Sequence, residues 1–182
     1  IKMNNSSNSS RIQLLCNQLS SHKKSPQPIL SALDFCFFDD LLTPEEVKIR
    51  KEVREFAERE VVPIASEYYE KAQIPEDIFK KFGQQGWAKL LAKNPYGENK
   101  NPMFLALIVM ELARADAGIA CIFLLQAGLV RETIEVLASE EQQKKFLPKM
   151  LNFEIVLAWA LTEPNFGSDA SSLTTSVKKT EG

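Results

Sequence analysis

The most informative stretch of the chain is the segment Trp159-Ala-Leu-Thr-Glu-Pro-Asn-Phe-Gly-Ser-Asp169. From Thr162 onward it is rich in the residue types that form turns, which predicts a loop. Gly167 has no Cβ atom, so another backbone or a ligand can approach it closely. The free N–H groups of such a loop can face an anion, and the 159–169 loop therefore suits a ligand with polar edges and phosphates. The other interpretation is a plain turn after a strand, capped by Asp169.

Two β-strands are predicted on either side of this loop. Residues 153–161 are apolar and partly β-branched, and residues 174–179 alternate around Val177. The last residues, Thr180-Glu-Gly182, resemble the turn into a hairpin whose return strand is missing. Because a strand edge without a partner is a poor place for a domain to end, we expect residues 153–182 to be the start of an incomplete β-domain. The chain is then the front part of a longer protein.

Upstream of these strands the sequence carries two helix-start signals. In Thr43-Pro-Glu-Glu46, the threonine is an N-cap, the proline suits the first turn, and the second glutamate can close a capping box. The helix that begins there is expected to end at Pro63. Ser139-Glu-Glu-Gln142 is a second capping box, and its helix is expected to end at Pro148.

The most apolar stretch of the chain is residues 119–130, which only Gln126 and Gly128 interrupt. It is too short for a membrane span, which needs about 20 residues. We therefore expect a central helix that is buried nearly all round, and such a helix is where a ligand pocket would be lined. Apolar spacing predicts two further helices, over residues 75–86 and 102–116.

The charges divide the chain into a basic leader and an acidic body. The first 33 residues hold four basic and no acidic side chains, which leaves 18 basic and 24 acidic side chains on the other 149. Twelve of those 33 residues are Asn or Ser, too polar a composition to pack a core. Residues 1–38 are expected to be a disordered leader, and their composition is also typical of a mitochondrial transit peptide.

The overall composition excludes several classes of function. A net charge of −2 argues against a general nucleic-acid-binding protein. Cys16, Cys36 and Cys121 are too few and too far apart for a disulfide framework or a metal site, so no metal ligands are assigned. A reducing compartment is the simplest interpretation.

The quoted residues resemble a known family. Ala160-Leu-Thr-Glu-Pro164 followed by Gly167-Ser-Asp169 is similar to the flavin-binding signature of the acyl-CoA dehydrogenase and acyl-CoA oxidase superfamily. The resemblance covers residues 39–182 and is closest to plant-type short-chain acyl-CoA oxidases and to glutaryl-CoA dehydrogenases. Four other segments stand in family order: Asp40-Leu-Leu-Thr-Pro-Glu-Glu46, Glu60-Val-Val-Pro-Ile64, Glu111-Leu-Ala-Arg-Ala-Asp116, and Ser139 to Gln142 with Phe146-Leu-Pro148.

The resemblance implies a mainly α fold and an FAD site. Residues 39–152 would form an N-terminal helical bundle of the acyl-CoA dehydrogenase type, followed by the first strands of a truncated β-domain. Leu161 and Thr162 would face the flavin ring, and Trp159 would lie beside it, with a core tryptophan as the alternative. Gly167 and Ser168 would lie at the FAD diphosphate and the acyl-CoA arm.

The central helix would contribute the acyl pocket. In glutaryl-specific relatives an arginine on this helix holds the distal carboxylate of the substrate, and the matching position here is Ala120. Because burying an unpaired carboxylate is very costly, a monocarboxylic acyl-CoA is the expected substrate. The candidate acyl-pocket residues are Cys121, Ile122, Leu125 and Leu129, with a plain core as the alternative interpretation; Ser168 would also contact the substrate.

The implied reaction is α,β-dehydrogenation of an acyl-CoA. The superfamily's catalytic base is a glutamate supplied later in the chain, so no residue of this sequence is assigned a catalytic role and the isolated fragment is expected to be inactive. Electrons would pass to an electron-transfer flavoprotein or to oxygen, and the full-length enzyme is expected to be a homotetramer of the mitochondrial matrix or, alternatively, the peroxisome. The alternative function is a non-catalytic interaction or assembly subunit derived from this superfamily.

Overall fold

The computed structural model describes residues 38–178 and 180, and the regular structure in this part of the chain is helical. The helical bundle predicted from the sequence is confirmed. Residues 1–37, which hold most of the predicted leader, lie outside the described residues. Eight α-helices follow one another: α1 (Pro44–Phe56), α2 (Val62–Glu70), α3 (Asp77–Gln85), α4 (Trp87–Leu91), α5 (Met103–Ala115), α6 (Ala117–Leu124), α7 (Arg131–Leu137) and α8 (Glu140–Leu151), with 3-10 helices at Phe38–Leu41 and Ala170–Ser172.

Helix α1 begins at the predicted capping box. The Thr43 hydroxyl accepts a hydrogen bond from the Glu46 N–H, and the Glu46 carboxylate accepts one from the Thr43 N–H at 2.8 Å. The helix does not end at Pro63, as the sequence predicted, because a π-helical turn at Ala57–Val61 carries it into α2. Pro63 stands in the first turn of α2, where a missing N–H is tolerated.

Helices α3 and α4 meet at Gly86, whose left-handed φ of 70° favours glycine. The Gly86 N–H donates to the Phe82 carbonyl and ends α3. Helix α4, which the sequence did not predict, is only five residues long and buries Trp87 and Leu91. A helix that short is marginal by itself, so packing of these side chains stabilises it rather than intrinsic propensity.

Helix α6, a π-helical turn at Leu125–Val130 and helix α7 form one continuous helix, Ala117–Leu137, which is the central helix. With 21 residues it is longer than the apolar stretch alone predicted, and by length and composition it could cross a membrane; 44% of its most apolar window is buried inside the protein. The prediction that it is buried nearly all round is wrong. Leu124, Leu125 and Leu129 are 37–41% exposed, because helix α5 packs on one side of it and no described element covers these side chains.

A cluster of aromatic side chains holds the bundle together. The Phe82 ring lies 5.9 Å from Phe56, 5.2 Å from Phe123 and 5.4 Å from Phe153, between ring centroids. Trp87 packs edge-on against Phe56 at 5.1 Å. Edge-on and tilted aromatic pairs stabilise beyond the area that they bury. The cluster joins α1, α3, α4 and α6 to the turn after α8.

A buried carboxylate joins α1 to α5. The Glu111 side chain is 1% exposed and accepts hydrogen bonds from Arg50 at 2.8 Å and from Arg54 at 2.7 and 2.8 Å. Arg114, three residues farther along α5, contacts Glu111 at 3.3 Å and also pairs with Glu58. Burial by itself raises the pKa of Glu111, but the hydrogen bonds from Arg54 and Arg50 outweigh it and hold the pKa below its ordinary value.

Helix α8 also runs past a proline. Its capping box is formed as predicted, with the Ser139 hydroxyl accepting from the Gln142 N–H. The helix continues through Pro148 to Leu151, so the predicted end at Pro148 is wrong. Pro148 is exposed, whereas Leu147 and Leu151 are buried in the core, and their packing stabilises the final turn.

The two predicted strands are absent from the described residues. Residues 155–163 and 173–178 carry no regular secondary structure, and neither pairs with another strand. Alternation and β-branched side chains indicate a strand, but a strand forms only where a second one satisfies its N–H and C=O groups. The described part of the chain offers none, so the fold class is confirmed for the helical bundle and corrected for the strands.

Candidate functional site

The chain leaves the bundle after α8 and is then held by Gln126 of the central helix. The Gln126 amide nitrogen donates to the carbonyls of Met150, at 3.1 Å, and Ile155, at 2.8 Å. Its oxygen accepts from the Leu157 N–H at 3.0 Å. Residues 155–157 therefore lie against the central helix, and the 159–169 loop begins just beyond this contact.

Glu163 organises the loop from inside. Its backbone and that of Phe166 exchange two hydrogen bonds, of 3.0 and 3.2 Å. Its carboxylate accepts hydrogen bonds from Thr175 N–H at 2.7 Å and from the N–H and hydroxyl of Thr174 at 3.0 Å. These bonds, with Thr175 contributing most, lower the pKa of Glu163 to about 2. The carboxylate is thus ionised and fully engaged in closing the loop.

Asp169 closes the far end of the loop. Its carboxylate accepts hydrogen bonds from the hydroxyls of Ser171, at 2.6 Å, and Ser172, at 2.5 Å. These bonds, that of Ser171 first, lower the pKa of Asp169. Asp169 therefore stands at the N-cap position of the 3-10 helix Ala170–Ser172 and bonds to its serine hydroxyls, without a side-chain cap to a backbone N–H. Of the residues between Glu163 and Asp169, Phe166 is half-buried and the others are exposed.

The five residues predicted to bind a cofactor all face outward. Trp159 and Leu161 are 38% and 40% exposed, and Thr162, Gly167 and Ser168 are exposed as well. Among the described residues, the N–H groups of Leu161 and Thr162 have no hydrogen-bond acceptor. A Cβ atom added at Gly167 would meet no atom within 4 Å. The loop therefore presents free donors, open space and two apolar side chains on one short segment.

Three of the four predicted acyl-pocket residues lie on the exposed side of the central helix. Cys121, Leu125 and Leu129 are exposed, and Ile122 is half-buried. Ala120, in contrast, is 2% exposed and belongs to the core of the bundle. Each residue of an α-helix is rotated by about 100° from the one before it, so Ala120 points away from the face on which Cys121 lies.

Cys121 and Ile122 also line a cavity of about 600 Å³ between α2 and the start of α6. Its walls are mostly apolar, with Tyr68 and Ile74 opposite the helix. Leu125 and Leu129 lie farther along the helix and outside this cavity. The structure thus divides the predicted pocket residues into a pair at the cavity and a pair on the open face.

Sequence reasoning missed two residues at this site. In the sequence, Gln126 shows no role beyond interrupting an apolar stretch. A single amide among apolar residues nevertheless indicates a buried side chain that forms hydrogen bonds. Ile74 belongs to the segment between α2 and α3 and gave no local signal. Within residues 38–178 and 180, no group of three or more His, Cys, Asp or Glu side chains could hold a metal ion.

Comparison with protein families gives a match over most of the bundle. Residues 43–154 match the acyl-CoA dehydrogenase, N-terminal domain family. The chain belongs to this family. The expected resemblance is therefore confirmed, and α1 to α8 together form the acyl-CoA dehydrogenase N-terminal domain.

Relatives of this N-terminal domain include enzymes and a flavin complex. The 3-(aryl)acrylate reductase of Clostridium sporogenes is 35% identical over 138 residues, which cover 75% of this chain and 37% of that relative. An acyl-CoA dehydrogenase of Bacillus subtilis is 33% identical over 140 residues, which cover 76% of this chain and 37% of that relative. A glutaryl-CoA dehydrogenase from Mycobacterium smegmatis in complex with FADH2 matches with a TM-score of 0.70 and 29% identity, over 74% of this chain and 35% of that one. The chain thus spans little more than a third of the length of the relatives that it matches.

Proposed function

We propose that the chain is the N-terminal portion of an FAD-dependent acyl-CoA dehydrogenase or oxidase that catalyses α,β-dehydrogenation of a monocarboxylic acyl-CoA. The observation that carries this proposal is the 159–169 loop, whose free N–H groups and exposed apolar side chains follow directly on an acyl-CoA dehydrogenase N-terminal domain. Together these groups suit a ligand that has both a polar edge and an apolar body.

The loop residues fit a flavin. The free N–H groups of Leu161 and Thr162 can donate to the polar edge of an isoalloxazine ring. Trp159, 38% exposed, offers an aromatic face for the ring to pack on. The open space at Gly167 leaves room for the diphosphate, with the Ser168 hydroxyl beside it. Bound FAD supplies the hydride acceptor for the reaction.

The exposed face of the central helix supports an uncharged acyl chain. Cys121, Ile122, Leu125 and Leu129 give it apolar character without a cation. Arg131, on the same helix, is buried and is paired with Glu135 at 2.5 Å. A substrate carboxylate on this face would therefore lose its hydration without gaining a partner. Ala120 is not part of this face, because it lies in the core of the bundle.

The proposal assigns the catalytic base to a glutamate outside this chain, and residues 1–182 alone are expected not to turn over. The described carboxylates near the loop support a base from outside this chain, because Glu163 and Asp169 are both engaged in hydrogen bonds. The electron acceptor is an electron-transfer flavoprotein or oxygen. The assembled enzyme is proposed to be a homotetramer of the mitochondrial matrix, with the peroxisome as the other location.

The test is to sequence the transcript beyond Gly182 and to purify its full-length product. A continuous reading frame and a yellow protein with flavin absorbance are the expected results. An immediate stop codon, or a folded and colourless full-length product, would contradict the proposal and favour the non-catalytic assembly subunit.

A pair of variants sharpens this test. Gly167→Val fills open space without a clash in the folded chain, so it should keep the thermal midpoint and weaken FAD binding by about tenfold or more. The matched control is Ala170→Val, which adds similar bulk to another exposed position beyond the loop and should leave FAD binding unchanged. Equal FAD affinity in the two variants would show that the 159–169 loop does not contact FAD.

A further inference from the structure

One buried polar side chain of the central helix has no part in the proposed function. Gln126 is 1% exposed and lies in the π-helical turn Leu125–Val130. Such turns are rare and are frequent at functional sites. Of the buried polar residues on this helix, Arg131 bonds to groups of the helix itself, whereas Gln126 bonds across to Met150, Ile155 and Leu157.

The three hydrogen bonds of Gln126 require an amide in one orientation. The NH₂ group faces the two carbonyls of Met150 and Ile155, and the oxygen faces the Leu157 N–H. Reversing the amide would place oxygen against two carbonyls and NH₂ against an N–H. A glutamate would lack both donors when ionised, and an asparagine would be one methylene group too short. The contact therefore specifies glutamine by both chemistry and length.

The contact also fixes the register of the segment that leads into the loop. Ile155 and Leu157 are half-buried against the core, while Val156 between them is 48% exposed. The Ile155 carbonyl and the Leu157 N–H have Gln126 as their hydrogen-bond partner in the described part of the chain. A slip by one residue would turn Val156 inward and Leu157 outward, and would shift every position that follows.

We infer that Gln126 is a positioning residue of the flavin site, which fixes where the 159–169 loop begins relative to the central helix. The inference rests on the proposed function. Leu125, the residue before Gln126, lies on the exposed face proposed for the acyl chain. The same π-helical turn therefore sets the distance between the exposed face proposed for the acyl chain and the 159–169 loop proposed for the flavin.

The experiment compares Gln126→Met with Gln143→Met. Gln143 is a matched control because its amide also donates to two backbone carbonyls, Ala138 at 3.0 Å and Glu135 at 3.5 Å, but at the junction of α7 and α8. In the flavin-free full-length protein, Gln126→Met should speed hydrogen exchange of the Leu157 amide by about tenfold, and Gln143→Met should not.

Flavin binding is then measured in the full-length protein. Gln126→Met should raise the dissociation constant of FAD by about tenfold and shift its visible absorption bands. Gln143→Met should change neither, when each variant is compared at the same interval below its own Tm. If Gln126→Met does not fold, Gln126→Asn keeps an uncharged amide that is one methylene group too short to reach all three partners, and it should also raise the FAD dissociation constant.

The outcomes separate the inference from the proposed function. A wild-type protein that binds FAD, with a folded Gln126 variant of unchanged FAD affinity, overturns the positioning role and leaves the proposed function standing. A folded wild-type protein that binds no FAD overturns the proposed function and the positioning role together. The Leu157 exchange rate needs no flavin, so it tests the anchoring contact by itself.

Discussion

The Glu163 carboxylate accepts hydrogen bonds from Thr175 and, with a smaller effect, from Thr174, and these lower its pKa to about 2 from an ordinary value near 4.5. A depressed pKa means that protons bind the unfolded loop more readily than the folded one. The ionised Glu163 carboxylate therefore contributes fully to the stability of the folded loop above pH 4.5, and this contribution is lost as the pH falls toward 2. The Thr175 amide resonance should therefore move with a midpoint near pH 2 in an NMR titration, and should not titrate in Glu163→Gln. A midpoint near 4.5 would contradict the closed loop.

Gly83 of α3 lies against the turn that follows α8. A Cβ atom at this position would overlap the carbonyl oxygen of Asn152, and that oxygen belongs to the backbone and cannot rotate away. Gly83→Ala should lower the free energy of unfolding by about 1–3 kcal/mol, even though alanine favours a helix. Urea denaturation measures this loss. Gly167→Ala is the control, because its Cβ meets open space, and an equal loss in both variants would contradict the close approach.

Helices α1 and α5 are joined through Glu111, so loss of its carboxylate should weaken the packing of both helices. Glu111→Gln would leave the Arg54 guanidinium, 33% exposed, without its carboxylate partner, and would leave the Arg50 guanidinium, 10% exposed, with Asp39 alone. We expect the free energy of unfolding to fall by about 3 kcal/mol, since breaking a buried ion pair leaves an uncompensated charge. Thermal denaturation should show no measurable change for Glu52→Gln, whose partner Lys48 is exposed. A similar midpoint for both variants would contradict the bridging role of Glu111.

The helix starts could be predicted from the sequence because a capping box is local. Thr43 and Ser139 each find their partner three residues away, so no other part of the fold enters the argument. The helix ends could not, because Pro63 and Pro148 act against a background of tertiary contacts. A π-helical turn accommodates Pro63, and the buried side chains around Pro148 stabilise the turn that it should have ended.

At the scale of the whole molecule, the sequence predicts the bundle better than it predicts the site. Apolar spacing identifies a central helix but not which of its faces the other helices cover. The sequence therefore predicts a pocket position for Ala120, whereas the structure places it in the core. The partners of Gln126 lie 24–31 residues away in the chain, and no local pattern contains them. The prediction of strands at residues 153–161 and 174–179 is wrong for the same reason, because strand pairing depends on residues outside these segments.

The whole protein offers one direct test of the acyl face, because Cys121 is an exposed thiol that lines the cavity beside α2. In a Cys16→Ser, Cys36→Ser background, a saturated acyl-CoA at ten times its Kd should slow alkylation of Cys121 by N-ethylmaleimide about tenfold, since only the free protein reacts. Coenzyme A without an acyl chain should protect far less, because it lacks the apolar group that would cover the thiol. Any other cysteine of the full-length protein is assigned by peptide mapping. Equal alkylation rates with and without the acyl-CoA would show that the acyl chain binds elsewhere, and the exposed face of the central helix would then need another explanation.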